Sequence, residues 1–328
     1  MPLSPIDFEE IKQLHARYCH TLDFGDIDGL VSCFAPDGGF EIALVPGHPA
    51  TRRGTEALRR SPAGVNTTGH GRHTTLGSIT DGDGDTARSL SAVMMSCDYG
   101  PPVGKGQVTR SQLCATGLYA DDLVRVDGRW VYADRVFGGD ETPAVVRERV
   151  AQRLTIAPVD AGEATAELSP LDHEAIRQLL ARAGFALDLA DDDAFAECFI
   201  PDATIDAPDP AQVGGRVHAQ GRDQLREYAT AVREELHGFA RQTALGPVIA
   251  GGGARARVSA YALTTVSYGA APQPRQRRKA EVLTTGVYRD EVVKVDGRWL
   301  FAQRTLRTDM LPEVRALVGR PSDLRLLA

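Results

Sequence analysis

Two stretches of this chain nearly coincide. Tyr119–Trp130 reads YADDLVRVDGRW and Tyr288–Trp299 reads YRDEVVKVDGRW, an offset of 169 residues in a chain of 328. The beginnings repeat too, because Ser4-Pro5-x-Asp7 returns as Ser169-Pro170-x-Asp172 at an offset of 165. One module has been built twice, so the fold must be one that about half the chain can complete. The repeat also supplies an internal comparison. A polar interior position held by one copy and lost by the other points to work that the frame itself does not require.

Composition narrows the partners. A net charge of −7 argues against nucleic acid, whose phosphates want a basic face. Only Arg275–Lys279 is strongly basic, and it reads as a solvated hairpin tip. No apolar run approaches the ~18 residues of a membrane span. The start, MPLSPIDFEE, is acidic and has no signal-peptide core, so a cytoplasmic location is expected. Cys19, Cys33, Cys97, Cys114 and Cys198 show neither metal-ligand spacing nor a paired framework.

Each copy runs from helices to long strands. Ser4 is a cap, Pro5 suits the first helical turn, and Ile11, Leu14, Tyr18 and Leu22 recur at helical spacing up to Gly25. A short helix is expected over Asp26–Phe34, a strand over Phe40–Val45, and a third helix after Gly54. The period then becomes two near 72–81, 86–99, 107–126 and 129–137. Asp127-Gly128 and Asp296-Gly297 are hairpin turns. The fold class is therefore α+β. The expected organisation is a first module over 1–140, a linker over 141–168, a second module over 169–310 and a tail over 311–328. A helix is expected at Arg147–Leu154, and Leu311–Ala328 reads as a helix or tail.

The pattern RYCHTLDFGDIDGLVSCFAPDGGFEI at residues 17–42, the helix after Gly54, Arg72-His73 opening a strand and the closing DGRW hairpin together resemble the SnoaL-like superfamily. That resemblance covers both copies and implies the nuclear transport factor 2-like fold. It predicts two tandem cone-shaped α+β barrels, helices closing a curved antiparallel sheet, with the modules pairing as a pseudo-dimer inside one chain and a homodimer left open. It also implies an enclosed apolar pocket for a small molecule. Relatives include dehydratases, cyclases, isomerases, epoxide hydrolases and non-catalytic proteins, so the chemistry has to come from the cavity residues.

By the same resemblance, His73 matches the active-site histidine of scytalone dehydratase and Asp23 the aspartate that holds it. Tyr18 matches the oxyanion-donating tyrosine of ketosteroid isomerases. The twins of these three are Gln242, Asp188 and Ala183. A carboxylate accepting one ring N–H of a histidine frees the other nitrogen to take and return a proton, which Gln242 cannot do. Each residue also has a bland reading: Asp23 as a cap, His73 as a bonded structural histidine, Tyr18 as a core aromatic. The isomerase base position falls at Ile42. Glu41, Met94, Asp122 and Arg135 are candidate substrate contacts, with Asp122 and its twin Glu291 of open strand parity. In the second module Asp188, Asp206, Gln242, Tyr261, Glu281 and Arg304 are candidates.

His70 and His73, and His15 and His20, do not converge as ligand pairs, so no metal is expected. No glycine-rich phosphate loop follows a strand, and no cofactor is expected. The favoured reading is a cofactor-independent acid/base enzyme of small-molecule metabolism, a dehydratase, cyclase or isomerase of a polyketide-like or cyclic substrate, working in the first module. Two alternatives stand beside it. One is epoxide opening by second-module carboxylates, and the other is a binding or accessory protein without turnover.

Overall fold

Each module begins by capping a helix. In the computed structural model, α1 (Pro5–Phe24) follows Ser4, whose hydroxyl accepts from the Asp7 amide while the Asp7 carboxylate accepts from the Ser4 amide at 2.8 Å. The second module repeats this capping box with Ser169 and Asp172 ahead of α4 (Pro170–Asp188). The two cap carboxylates also reach across the module. Trp130 Nε1 donates to Asp7 at 3.1 Å and Trp299 Nε1 donates to Asp172 at 2.8 Å, with Arg125 and Lys294 as the respective cations. The two strongest repeat signals, one at each end of a module, are thus two halves of a single tie. Burial alone raises the Asp7 pKa, but hydrogen bonds from Ser4, Trp130 and Arg125 outweigh it and hold the carboxyl down to about 2.

The described residues are 1–43, 50–60, 71–99, 110–140, 150, 155–209, 212, 215–236, 240–268 and 279–308. They form two compact units, one mainly of residues up to Ile156 and one mainly of residues from Ala157 onward. After α1, the first unit continues with α2 (Ile27–Ser32), β1 (Phe34–Ala43), β2 (Ala50–Arg53), α3 (Thr55–Arg59), β3 (Arg72–Asp83), β4 (Thr86–Tyr99), β5 (Arg110–Val126) and β6 (Arg129–Gly139). The second has α5 (Asp192–Glu197), β7 (Phe199–Pro208), β8 (Arg216–Gln220), α6 (Gly221–Leu236), β9 (Ala240–Gly252), β10 (Arg255–Tyr268), β11 (Lys279–Val295) and β12 (Arg298–Thr308).

The sheet orders are β2-β1-β6-β5-β4-β3 and β8-β7-β12-β11-β10-β9. Strand β1 runs parallel to β6, and β7 to β12, while β1–β2, β4–β5, β5–β6 and their counterparts β7–β8 and β11–β12 are antiparallel. These are two tandem six-stranded sheets, each accompanied by helices, which is the expected α+β plan; the sheets are open rather than closed on themselves, and one parallel pair in each makes them mixed rather than wholly antiparallel. Strand β1 also starts at Phe34 rather than Phe40. Its register against β6 shifts between Phe34 and Gly39, and that irregularity absorbs Pro36-Asp-Gly-Gly39, a stretch that reads as a loop. Asp127 and Gly128, at φ 49° and 76°, and Asp296 and Gly297, at φ 47° and 77°, make the left-handed turns that the hairpins require.

In the first unit the inward face of α1, with Ile11, Leu14 and Tyr18, packs into a core containing Leu90, Leu118 and Tyr132. In the second, Ile176, Leu180 and Ala183 join Phe195, Phe199 and Phe301. Pro158–Ala166 carries neither helix nor strand. The expected helix at Arg147–Leu154 lies outside the described residues except for Val150. So do His70, the basic run before Lys279 and the segment Leu311–Ala328. Side chains of Cys97 and Cys114 are likewise outside the description.

One position exposes a difference in how the copies end their first helix. Gly25 closes α1 at φ 69°, whereas its twin Ala190 adopts φ 63°. A Cβ in left-handed backbone is strained by about 1 kcal/mol. Ala190→Gly is therefore expected to stabilise the second unit by roughly 0.5–1 kcal/mol in chemical denaturation, and an unchanged or lower midpoint contradicts this.

Candidate active site

The first unit contains a partly open cavity of about 240 Å³. Tyr18 and Leu22 of α1, Leu30 of α2 and Leu58 of α3 close one side. Phe34, Phe40 and Ile42 of β1, His73 of β3, Val93 and Met95 of β4, Ala115, Thr116 and Tyr119 of β5 and Phe137 of β6 form the rest. The wall is apolar except for an imidazole, two phenols and a threonine.

His73 stands in this wall and is held by Asp23, which does not itself line the cavity. His73 Nδ1 lies 2.6 Å from Asp23 Oδ1, and the His73 backbone amide donates to Asp23 Oδ2 at 2.8 Å. Their side chains are 10% and 4% exposed. With Nδ1 committed to the carboxylate, Nε2 is the nitrogen left for a ligand.

The second unit keeps half of this arrangement. Asp188 accepts from the Gln242 amide at 3.0 and 3.1 Å, as Asp23 does from His73. Its side-chain partner is instead Arg241 Nη1 at 3.2 Å, both groups buried. The aspartate is therefore a structural acceptor for the start of β3 in one copy and of β9 in the other. Only the first copy adds an ionisable ring that can move a proton.

Tyr18 is 2% exposed and borders the cavity with Tyr119. Burial pushes both phenols well above their ordinary pKa, against the pull of the nearby Arg135 guanidinium, so both remain protonated donors. The sequence reading missed Tyr119.

Four proposed substrate contacts lie off the cavity wall. Strand alternation turns Phe40 and Ile42 inward and carries Glu41 away, and likewise Val93 and Met95 line the cavity in place of Met94. Asp122 is half-buried, and its neighbour Asp121 is the acid that points inward. Arg135 sits behind the wall, fully buried. Its Nε and Nη2 bond Asp121 at 2.7 and 2.8 Å, and its guanidinium lies 4.3, 4.0 and 4.0 Å from the ring centres of Tyr18, Tyr119 and Tyr132.

The second-unit candidates are dispersed. Arg304 repeats the buried pair with Asp290, at 3.1 and 2.9 Å. Asp206 faces Arg216 and Arg307, Glu281 is exposed, and Tyr261 is 69% exposed. Gln242 is half-buried. Asp188 is paired with Arg241 and Asp206 with its two arginines, whereas epoxide opening needs two acids set against each other, one of them protonated.

The profile of the SnoaL-like domain matches residues 6–136 and again 169–305. The chain belongs to the SnoaL-like family. No curated protein matches it. Solved structures similar to this tandem SnoaL-like chain include a function-unknown protein from Mycobacterium tuberculosis, at 27% identity over 53% of this chain and 87% of that one, TM-score 0.35. Aln2 from a Streptomyces species matches at 24% identity over 45% of this chain and 99% of its own, TM-score 0.36. A protein described as a putative scytalone dehydratase from Novosphingobium aromaticivorans matches at 21% over 41% and 84%, TM-score 0.34. Nothing about the reaction follows from likenesses of this size. Among the described residues, no helix is long and apolar enough to cross a membrane, and no three His, Cys, Asp or Glu side chains gather in a metal-binding group.

Proposed function

We propose that the first unit of this tandem SnoaL-like protein is a cofactor-independent acid/base enzyme acting on a small cyclic carbonyl compound, in a reaction of the dehydratase, cyclase or isomerase type. The observation that carries this is the 2.6 Å contact between His73 Nδ1 and Asp23 in the wall of an apolar cavity. An imidazole whose Nδ1–H is donated to a carboxylate presents the Nε2 lone pair to the ligand, and the carboxylate stabilises the imidazolium once a proton arrives. Nε2 takes a proton from the carbon beside the carbonyl and returns it to another carbon or to a departing hydroxyl. Tyr18 donates to the oxygen on which charge develops. A liquid water molecule occupies about 30 Å³, so the cavity volume suits on the order of ten non-hydrogen atoms, a one- or two-ring substrate.

2-Tetralone is a bicyclic ketone of that size with exchangeable protons beside its carbonyl. The intact chain is expected to accelerate deuterium incorporation at those positions in heavy water, with saturation in tetralone, as followed by proton NMR. Binding without acceleration over buffer supports a carrier protein and overturns the enzymatic reading.

A further inference from the structure

The two units differ behind the cavity wall as well as in it. In the first, His15 is buried and bonded on both sides: Nδ1 lies 2.8 Å from the Tyr132 hydroxyl and 3.2 Å from Arg135 Nη2, and Nε2 lies 3.2 Å from Ser89 Oγ. Ser89 in turn lies 3.1 Å from Thr80 Oγ1. Burial, and then the Arg135 charge, hold His15 well below the usual histidine pKa, so its ring is neutral. The corresponding residues of the second unit are Leu180, Phe301, Val258 and Ile249. Four polar side chains of one unit are four apolar ones in the other, around an arginine–aspartate pair that both keep. Buried polar groups are costly unless satisfied, and the second unit shows that the frame packs without these four. The polar set therefore accompanies what the first unit alone has: Tyr18, where the twin has Ala183, and His73, where the twin has Gln242.

Tyr18 and Tyr119 border the cavity, and no hydrogen bond between described residues uses either phenol oxygen. Two buried donors without an acceptor among the described residues, backed by a cation, suit an oxygen that carries or develops negative charge. We infer that Arg135, fixed by Asp121 and His15, is a positioning residue that supplies positive potential behind Tyr18 and Tyr119, and that the two phenols together form an oxyanion site for a ketone or enone oxygen of the substrate. Tyr119 becomes a substrate-contacting residue, and the substrate class narrows to carbonyl compounds that pass through an enolate. This deepens the proposed function and rests on it for the chemistry. Its test needs no turnover, so either can fail alone.

The probes are 4-nitrophenolate, an anionic oxygen on a ring, and 4-nitrotoluene, its neutral counterpart of equal size. The native protein is expected to bind 4-nitrophenolate the more tightly. A hydrogen bond to a charged group contributes about 1.5–3 kcal/mol, so Tyr18→Phe and Tyr119→Phe should each weaken 4-nitrophenolate at least roughly tenfold. Both should leave 4-nitrotoluene within about twofold, since the rings remain. Replacing the buried ion pair whole, as Arg135→Met with Asp121→Leu, is tolerated in comparable cores and should also lower 4-nitrophenolate affinity selectively. His15→Leu with Tyr132→Phe installs side chains that the second unit already packs, and should act in the same direction by releasing Arg135 Nη2. Native protein without preference for the anion overturns the oxyanion site. Unchanged 4-nitrophenolate binding in Tyr119→Phe overturns the second donor. Folded variants of the Arg135 environment with unchanged selectivity overturn the positioning role.

Discussion

His73→Gln is expected to lower 2-tetralone exchange by about 10²–10⁴-fold, the usual contribution of a positioned general base. The substitution is mild for the fold, because glutamine already stands at the twin position, where its backbone N–H makes the same bond to the preceding aspartate. Glutamine keeps a polar side chain in the wall but cannot hold the transferred proton. The loss should fall on the rate at saturation more than on tetralone affinity, because the apolar wall that binds the ring system is untouched. A variant that exchanges at the native rate removes His73 from the mechanism, and Asp23 with it.

The second large effect is on stability. Asp121→Ala leaves the Arg135 guanidinium buried without its carboxylate, and breaking such a pair from one side is expected to destabilise the first unit by about 3–5 kcal/mol. Its Nε and Nη2 lose bonds of 2.7 and 2.8 Å, and one guanidinium nitrogen, Nη1, is already without a partner among the described residues. Denaturant unfolding of Asp121→Ala measures the loss. The double variant Asp121→Leu with Arg135→Met should recover most of it, since no charge is then stranded. A loss below about 1 kcal/mol in Asp121→Ala, the range of exposed ion pairs, contradicts the buried geometry.

The frame could be read from the sequence because its strongest signals are short-range. Ser4 and Asp7 announce a capping box, and Asp127-Gly128 announces a turn whose left-handed backbone few residues tolerate. The repeat of both showed two modules without any knowledge of their packing. Tyr18 and His73 stood out because the copies disagree there, and the structure places both in one cavity with Asp23 at hydrogen-bond distance from His73. The rest depended on strand parity, which a sequence fixes poorly where bulges intervene. The pairing of β5 with β6 shifts between Asp122 and Leu123, where Ala133 is the extra residue on β6, so an alternation counted from the hairpin along β6 sends Tyr132 and Arg135 to opposite faces although both are buried. Glu41 failed for a similar reason on β1, whose irregular start hides its true length. Met94 and Met95 are indistinguishable until the pairing of β4 is known. Tyr119 passed unnoticed because both copies keep a tyrosine there. His15 carried a usable signal, since its twin is Leu180, but its partners lie 74 to 120 residues away in sequence.

On the proposed function, duplication gave two frames of which only the first turns over substrate, through His73 held by Asp23. The matched variants Asp23→Asn and Asp188→Asn test it most directly, because each aspartate makes the same backbone bond and only one holds a histidine. Tetralone exchange should fall at least roughly tenfold in Asp23→Asn, as expected when a base loses the group that orients it, and stay at the native rate in Asp188→Asn. Equal losses in the two variants, or a loss only in Asp188→Asn, would contradict the account.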